Sequence, residues 1–411
     1  MRRRDFLKLA GAVSLAGCAT PTPSKARVVV VGGGFGGATA AKYIRMWDPS
    51  LDVVLIEREA QFVSCPMSNL VLGGFTGMQD ISRGYDGLRR HGVQVVRDEV
   101  AAIDPAKKTV RLASGSDIAY ERVIVSPGID FTFGEIQGYE AAMQAGAVLH
   151  AWKAGPQTVA LRQKLEQMPD GGVYILSIPT APYRCPPGPY ERASMVAAYL
   201  KQAKPRSKVL VLDANPDVTS KGALFKRAWT DLYKDILEYR GNAKVVAVET
   251  GAVRTEFETV KGDVLNVVAP HRAADIAVKS GLITTNNRWC DIDWRTMESK
   301  AVKGVHVLGD ATLSAPGMPK SASMANNHAK IAGAAIVELL NGRSPQPVKI
   351  INTCYSFVGE KEAIRVSSVH EWDGSTLQPV KGAGGVSAAR SADEASFAWN
   401  WARTIWADSF A

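Results

Sequence analysis

Arg27-Val28-Val29-Val30-Val31-Gly32-Gly33-Gly34-Phe35-Gly36-Gly37 is the stretch on which the fold turns. Four consecutive valines predict a strand buried on both faces, since a strand with one wet face would alternate apolar with polar residues. The glycines after it predict a tight turn into the Ala-rich helix Ala38–Arg45. Gly32 permits the turn, Gly34 lets a phosphate approach the backbone, and Gly37 lets the helix pack on the strand. The helix N-terminus then offers free N–H groups to that phosphate. The next strand, Asp52–Ile56, ends at Glu57, twenty residues after Gly37, where a carboxylate can accept from ribose hydroxyls. Strand, glycines, helix, strand and acid in this order predict a dinucleotide-binding unit.

A second unit of this kind starts further on and then departs from the pattern. Val173–Ser177 reads as a buried strand, Ala193–Gln202 as a helix, and Val209–Leu212 as a strand closed by Asp213. The turn that should carry glycines instead reads Pro179-Thr180-Ala181-Pro182-Tyr183-Arg184-Cys185-Pro186-Pro187-Gly188-Pro189-Tyr190-Glu191-Arg192. Prolines and a thiol stand where amides would have to approach a pyrophosphate, so this frame is not expected to hold a nicotinamide nucleotide. Two other segments favour FAD over NAD in the first frame. Tyr120–Gly128 is a strand entering a small-residue turn and resembles the segment with which two-dinucleotide flavoproteins close over their cofactor. Val305–Ala311 resembles their distal motif, whose aspartate, here Asp310, binds the ribityl chain; capping the following helix is the alternative for Asp310. Val100, Pro127, Gly128 and Gly309 join Gly32, Gly34, Gly37, Glu57 and Asp310 as expected cofactor-binding residues.

The 411 residues, 46% apolar and 22% charged, suit an ordered globular protein of two or three domains. No apolar run reaches the roughly 18–20 residues needed to span a bilayer. Arg3-Arg4-Asp5-Phe6-Leu7-Lys8 and the apolar Leu9–Gly17 resemble a twin-arginine export signal, which implies a periplasmic protein exported already folded. Leu15-Ala16-Gly17-Cys18 also resembles a lipoprotein cleavage box; a membrane anchor would follow only if Cys18 is lipidated, and cutting by an ordinary signal peptidase is the alternative. The formal charge of +9 falls to about +6 without residues 1–18, which hold three Arg, one Lys and one Asp. With no basic run interleaved with aromatics, nucleic-acid binding is not expected. The cysteines are Cys18, Cys65, Cys185, Cys290 and Cys354, with no Cys-x-x-Cys, so a metal site is not expected. Lacking Cys-x-x-Cys-His as well, the chain carries no c-type haem of its own. Cys290 reads as a buried, inert thiol.

With these pieces together the chain resembles the flavoprotein subunit of flavocytochrome c sulfide dehydrogenase, a two-dinucleotide-binding flavoprotein related to sulfide:quinone oxidoreductases. The resemblance runs from about Arg27 to the C-terminus. Its carriers are Phe62-Val63-Ser64-Cys65-Pro66-Met67-Ser68-Asn69, the string Tyr183–Arg192, Gly317-Met318-Pro319-Lys320-Ser321 and Ile351-Asn352-Thr353-Cys354-Tyr355-Ser356. Pro66 departs from the family pattern, which more often has a larger residue there.

The resemblance implies that Cys65 forms a thioether to FAD, the alternative being a buried small apolar residue, and that Cys185 and Cys354, 169 positions apart, form a redox-active disulfide. A disulfide above the flavin is an electrophile that hydrosulfide can open, leaving a persulfide and a thiolate. A purely structural disulfide is the alternative. Glu191 matches a proposed acid/base group, or is an ordinary helix glutamate; Lys320 matches a lysine near flavin N1/O2, or is an ordinary surface lysine. Trp399, Trp401, Trp406 and Phe410 would form a docking surface, a cover over the flavin, or a core helix face. Haem would sit only on a partner, a c-type cytochrome subunit. The reaction implied is oxidation of hydrogen sulfide to sulfur or polysulfide. Alternatives are a sulfide:quinone oxidoreductase, an NAD(P)H-dependent disulfide or persulfide reductase, and a flavoprotein that only delivers electrons.

The expected fold is α/β, with two Rossmann-like three-layer domains and a C-terminal α+β interface domain. Its parts are a signal and linker (1–26), a discontinuous FAD-binding domain (27–138 and 275–343), a second Rossmann-like domain (139–274) and the interface domain (344–411).

Overall fold

A computed structural model describes residues 26–411; the twin-arginine segment and Cys18 lie outside the described residues. Arg27–Val31 forms a strand whose valines are buried, Val28, Val29 and Val30 completely. It is an inner strand of a seven-stranded sheet, parallel to Asp52–Ile56 on one side and to Arg122–Val125 on the other. Gln94–Val96 extends that parallel sheet at one edge, and Val305–Val307 extends it at the other. The short strands Ile292–Asp293 and Glu298–Ser299 add an antiparallel margin. Covering both faces is what allows strands this apolar, and helices Phe35–Trp47 and Ala322–Leu340 supply one cover, meeting where Gly333 lies against Ile44 and Trp47.

The first helix begins at Phe35, three residues before the expected Ala38, with Gly34 at its N-cap. Gly36 and Gly37 supply the start of the helix because their missing side chains are what the packing needs. A Cβ on Gly37 would stand 1.8 Å from the Gly32 carbonyl oxygen. Gly32 itself turns at φ +93°, a left-handed value that favours glycine.

The second sheet has five strands, all parallel, in the order Val148–Leu149, Val264–Val267, Val173–Ile178, Lys208–Asp213, Leu237–Arg240. Its first crossover helix is Gly188–Ala203, five residues longer at the front than expected. Pro189 falls in its first turn, where a missing N–H costs nothing, so residues read as turn are helix.

The C-terminal residues form an antiparallel three-stranded sheet, Ile350–Gly359, Glu362–Trp372 and Leu377–Val386, followed by helix Ala392–Phe410. Ser391 caps this helix by accepting from the Glu394 N–H at 3.1 Å. Among the described residues no helix is long and apolar enough to cross a membrane. The architecture is the expected mixed α/β fold with Rossmann-like units.

Candidate active site

A cavity of about 820 Å³ runs from the glycine turn to Cys354. That size falls in the range of roughly 300–1,000 Å³ typical of sites that enclose a cofactor or comparable ligand. At one end are Gly32, Gly34, Glu57 and Val100; along it lie Pro127, Gly128, Gly309 and Asp310; at the other end are Cys65, Cys185, Glu191 and Cys354. Gly37 supports the turn from behind rather than lining the space.

The residues fit a dinucleotide flavin. A Cβ on Gly34 would meet nothing within 4 Å, leaving room for a phosphate at the start of the first helix. Glu57 braces the turn: Oε2 accepts from the Gly33 N–H at 2.7 Å and Oε1 from the Glu59 N–H at 2.9 Å. Glu57 also lines the cavity, and its carboxylate has acceptor capacity beyond these two bonds. Asp310 sits in a short 3-10 turn, Gly309–Ala311, and its Oδ1 is buried without a partner. Burial raises its pKa, while the Arg184 and Lys320 charges pull it back down. An orphaned buried acceptor beside an open cavity is what a ribityl hydroxyl would satisfy.

Lys320 is 5% exposed, so it is no surface lysine. Its ammonium donates to the carbonyls of Asp310, at 3.1 Å, and Thr312, and lies 3.7 Å from the centre of the Trp289 ring. Two carbonyls and an aromatic face satisfy a buried cation that would otherwise have to reach solvent. Lys320 thus ties down the Asp310 turn, and its own carbonyl accepts from the Cys185 N–H at 2.8 Å.

Cys185 follows the strand Val173–Ile178 in a turn, at φ +58°, a conformation a non-glycine residue adopts at some cost. The turn is held by Arg184, whose N–H donates to His271 Nδ1 at 2.9 Å and whose guanidinium donates to the Trp152 carbonyl. Cys354 reaches the same end of the cavity from the long strand Ile350–Gly359, its Sγ 3.4 Å from Asn352 Oδ1. Cys65, Cys185, Cys290 and Cys354 are all free thiols in this structure. Burial pushes the Cys185 thiol up, and the neighbouring Cys354 and Glu191 push it further. Cys354 is raised by burial too, but Lys221 and the Asn352 hydrogen bond oppose the shift.

Glu191 lies in the first turn of helix Gly188–Ala203 and opens onto the cavity. Its oxygens accept from Asn69 Nδ2 and from the Phe357 N–H, each at 2.8 Å. Burial raises its pKa nonetheless, against both hydrogen bonds and the Lys221 and Arg192 charges. Cys65 lies just after strand Phe62–Val63, its Sγ 3.7 Å from the Trp152 carbonyl oxygen. Pro66 is accommodated in a turn closed by Ser68, whose N–H and hydroxyl both donate to the Cys65 carbonyl, at 3.1 and 2.7 Å.

Three supporting residues were given no role by the sequence, although Asn69 and Arg192 close two of its marked segments. Asn69 joins Glu191 to Arg192, whose Nε donates to Asn69 Oδ1 at 3.0 Å. Buried Arg192 also donates to the carbonyls of His150 and Ala151, tying the second sheet to the site. Lys221, buried beside Cys354, belongs to no motif. A lysine in an unremarkable turn and an asparagine at the end of a marked stretch gain a role only once the fold shows what they touch.

Trp406 and Phe410 are core residues: Trp406 Nε1 donates to Ser64 Oγ at 3.0 Å, and the Phe410 ring stacks on Phe62 at 4.7 Å. Trp401 lines the cavity and Trp399 packs beside Phe357. Cys290 is fully buried, as expected of an inert thiol. Among the described residues no cluster of His, Cys, Asp and Glu could hold a metal.

Asp213 ends the strand Lys208–Asp213 of the second sheet. It accepts from the hydroxyls of Tyr190 and Tyr239 at 2.8 and 3.0 Å, and from the N–H and side chain of Asn215 at 2.9 and 2.7 Å. The acid at the position that would hold a nicotinamide ribose is fully engaged by the protein itself.

Three family profiles match the chain. Residues 158–269 match "Sulfide dehydrogenase [flavocytochrome c] flavoprotein chain, central", and 346–410 match "Flavocytochrome c sulphide dehydrogenase, flavin-binding". Residues 26–166 match "Pyridine nucleotide-disulphide oxidoreductase". A sulfide dehydrogenase [flavocytochrome c] flavoprotein chain from Chlorobaculum thiosulfatiphilum is 64% identical over 45 residues, 11% of this chain and 94% of that one. Mitochondrial sulfide:quinone oxidoreductase from Dictyostelium discoideum is 24% identical over 70% of this chain, which spans 65% of that relative's length. In three dimensions the chain resembles sulfide:quinone oxidoreductase from Aquifex aeolicus, with a TM-score of 0.77 at 19% identity, covering 93% of this chain and 91% of that one.

Proposed function

We propose, from the premise that this chain belongs to the family of flavocytochrome c sulfide dehydrogenase flavoproteins, that it is an FAD-dependent oxidoreductase that oxidises hydrogen sulfide to sulfur or polysulfide. The observation that carries the proposal is one cavity lined both by Cys65, Cys185, Glu191 and Cys354 and by the Gly32 and Gly34 turn that can cradle a phosphate. When bound, FAD supplies an acceptor that takes two electrons together and releases them singly. Gly34 and the first helix would hold its pyrophosphate, Glu57 its ribose, Asp310 its ribityl chain, and Cys65 would tether the ring covalently.

The protein's own part is sulfur chemistry and proton handling. In its oxidised form Cys185 and Cys354 share a disulfide, and hydrosulfide opens it by attack on one sulfur. The S–S bond breaks, a persulfide forms on the attacked cysteine, and the other leaves as a thiolate. Glu191, whose proton is held more tightly than an exposed glutamate's, accepts the proton of incoming hydrogen sulfide. Arg184 lines the same space as a cation that favours an anionic substrate. Electrons leave singly to a haem on a separate c-type cytochrome subunit, and the assembly works in the periplasm after twin-arginine export.

Quinone as the acceptor is the second reading, favoured by 25% identity to a sulfide-quinone reductase of Aquifex aeolicus over 81% of both chains. Sulfide-driven reduction, measured with cytochrome c and with a soluble quinone in parallel, decides between them. The expected result is that cytochrome c is reduced, that Cys185→Ser abolishes the reaction, and that acid precipitation leaves the flavin on the protein unless Cys65 is replaced by serine. Native-rate turnover by Cys185→Ser would sink the disulfide chemistry.

A further inference from the structure

Lys221 is a buried cation seated against the segment that carries Cys354. It precedes helix Gly222–Tyr233 in a left-handed conformation, φ +57°, and is 7% exposed. Its ammonium donates to the Cys354 carbonyl at 3.2 Å and to Ser356 Oγ at 2.8 Å. Both acceptors are neutral, so these bonds satisfy its N–H groups without balancing its charge. A buried charge with no ion pair is costly, so a negative group that forms beside it is stabilised.

The ionisable groups facing Lys221 come from four directions. They are Cys354 on strand Ile350–Gly359, Glu191 on helix Gly188–Ala203, Cys185 in the turn before that helix, and Glu394 on helix Ala392–Phe410. Burial pulls the Lys221 ammonium down to about 8, and Cys354 is the first of these groups to oppose that fall. Reciprocally, Lys221 leads the groups that hold the Cys354 thiol down, followed by Asn352 and Ser321, while Glu191 acts the other way. Cys185 is placed less favourably for a negative charge: Cys354 and Glu191 push its thiol up, against Arg184 and then Lys221. The Lys221 ammonium is bonded to the Cys354 carbonyl and to Ser356 and to nothing in the Cys185 turn, so the two sulfurs are unequally placed for a negative charge, and the better-stabilised thiolate leaves faster in disulfide exchange.

We propose that Lys221 is a positioning residue that acts as counter-cation to the Cys354 thiolate and so decides which sulfur leaves. Hydrosulfide attacks Cys185 Sγ, and the Cys185–Cys354 bond breaks. Cys185 keeps the incoming sulfur and its proton as a persulfide, and the electron pair of the broken bond stays on Cys354 as a thiolate. This deepens the reading above and rests on its disulfide.

The test follows thiols rather than turnover. The FAD-loaded protein is reduced anaerobically with dithiothreitol, freed of it, and alkylated with iodoacetamide from acid to alkaline pH, each cysteine being followed by peptide mass spectrometry. In the wild type Cys354 should react faster than Cys185 and at lower pH. Lys221→Met should slow Cys354 about tenfold near neutral pH, one pKa unit, with little change at Cys185. Lys221→Arg should restore it. Faster alkylation of Cys185 in the wild type overturns the proposal without any variant having to fold. So does an unchanged Cys354 profile in Lys221→Met. Alkylation of both cysteines before any reductant is added would remove the disulfide itself, a failure of the underlying reading that is seen in a different arm.

Discussion

Glu191 gives both its oxygens to neutral donors, Asn69 and the Phe357 N–H, and burial still outweighs them. Its folded pKa therefore lies above that of a free glutamate, so it is protonated over a wider range of acid pH. If it accepts the substrate proton, kcat/KM must fall as pH drops through that raised value, not through the ordinary carboxylate range. Glu191→Gln should lower kcat/KM by about a hundredfold and remove that acid limb. Stopped-flow sulfide oxidation across pH measures both; a variant that keeps the limb assigns it to another group. The sequence made Glu191 conspicuous through its place in Arg-Cys-Pro-Pro-Gly-Pro-Tyr-Glu-Arg; Arg192 ends that string and Asn69 ends another, neither with a role attached, and Lys221 lies in no motif. Those three work through long-range contacts, and a residue type alone says nothing about what the fold will put opposite it. Lys320 shows the converse: its motif marked it out, but only the fold reveals that the carbonyls of Asp310 and Thr312 and the face of Trp289 hold its buried ammonium.

At the scale of elements, periodicity made the first frame legible because both its strands are buried on two faces and its turn needs glycine. The helix starts were harder to read. Phe35–Trp47 begins inside the glycines and Gly188–Ala203 begins inside the prolines, and both residue types look like punctuation until the first turn of a helix tolerates them. The contact of Gly37 with the Gly32 carbonyl is the tightest constraint on the first frame, since a Cβ there would fall at 1.8 Å from a backbone atom that cannot swing away. Gly37→Ala should cost about 3 kcal/mol or more and reduce flavin content sharply. Urea unfolding together with absorbance of the purified protein reads both quantities. A variant of native stability that is fully loaded with flavin would mean the helix can lift off the strand without harm.

For the whole molecule, the two parallel sheets are alike in architecture and unlike in chemistry. The first leaves Gly34 and Asp310 free for a ligand, whereas the second binds its own Asp213 with Tyr190, Tyr239 and Asn215. NADH and NADPH should therefore give no saturable reduction of the flavin in anaerobic titrations, under conditions where sulfide reduces it fully. Saturable reduction by either would require the Asp213 network to open.

The first sheet also has a history written into its strand order. Val305–Val307 pairs with Arg122–Val125, yet follows it by 180 positions in the chain, with the whole second sheet in between. At about 5–20 residues per second, a ribosome needs roughly 10–35 s to make that intervening length. Throughout that time Arg122–Val125 is an outer strand, and Val123, Ile124 and Val125, all fully buried in the finished protein, wait without their neighbour. An apolar strand with an unpaired edge is a template for pairing with the wrong chain. Expression yield should therefore depend on how fast the chain is translated and how well it is chaperoned over this stretch, since the cofactor-holding sheet cannot be completed until about three quarters of the chain has left the ribosome.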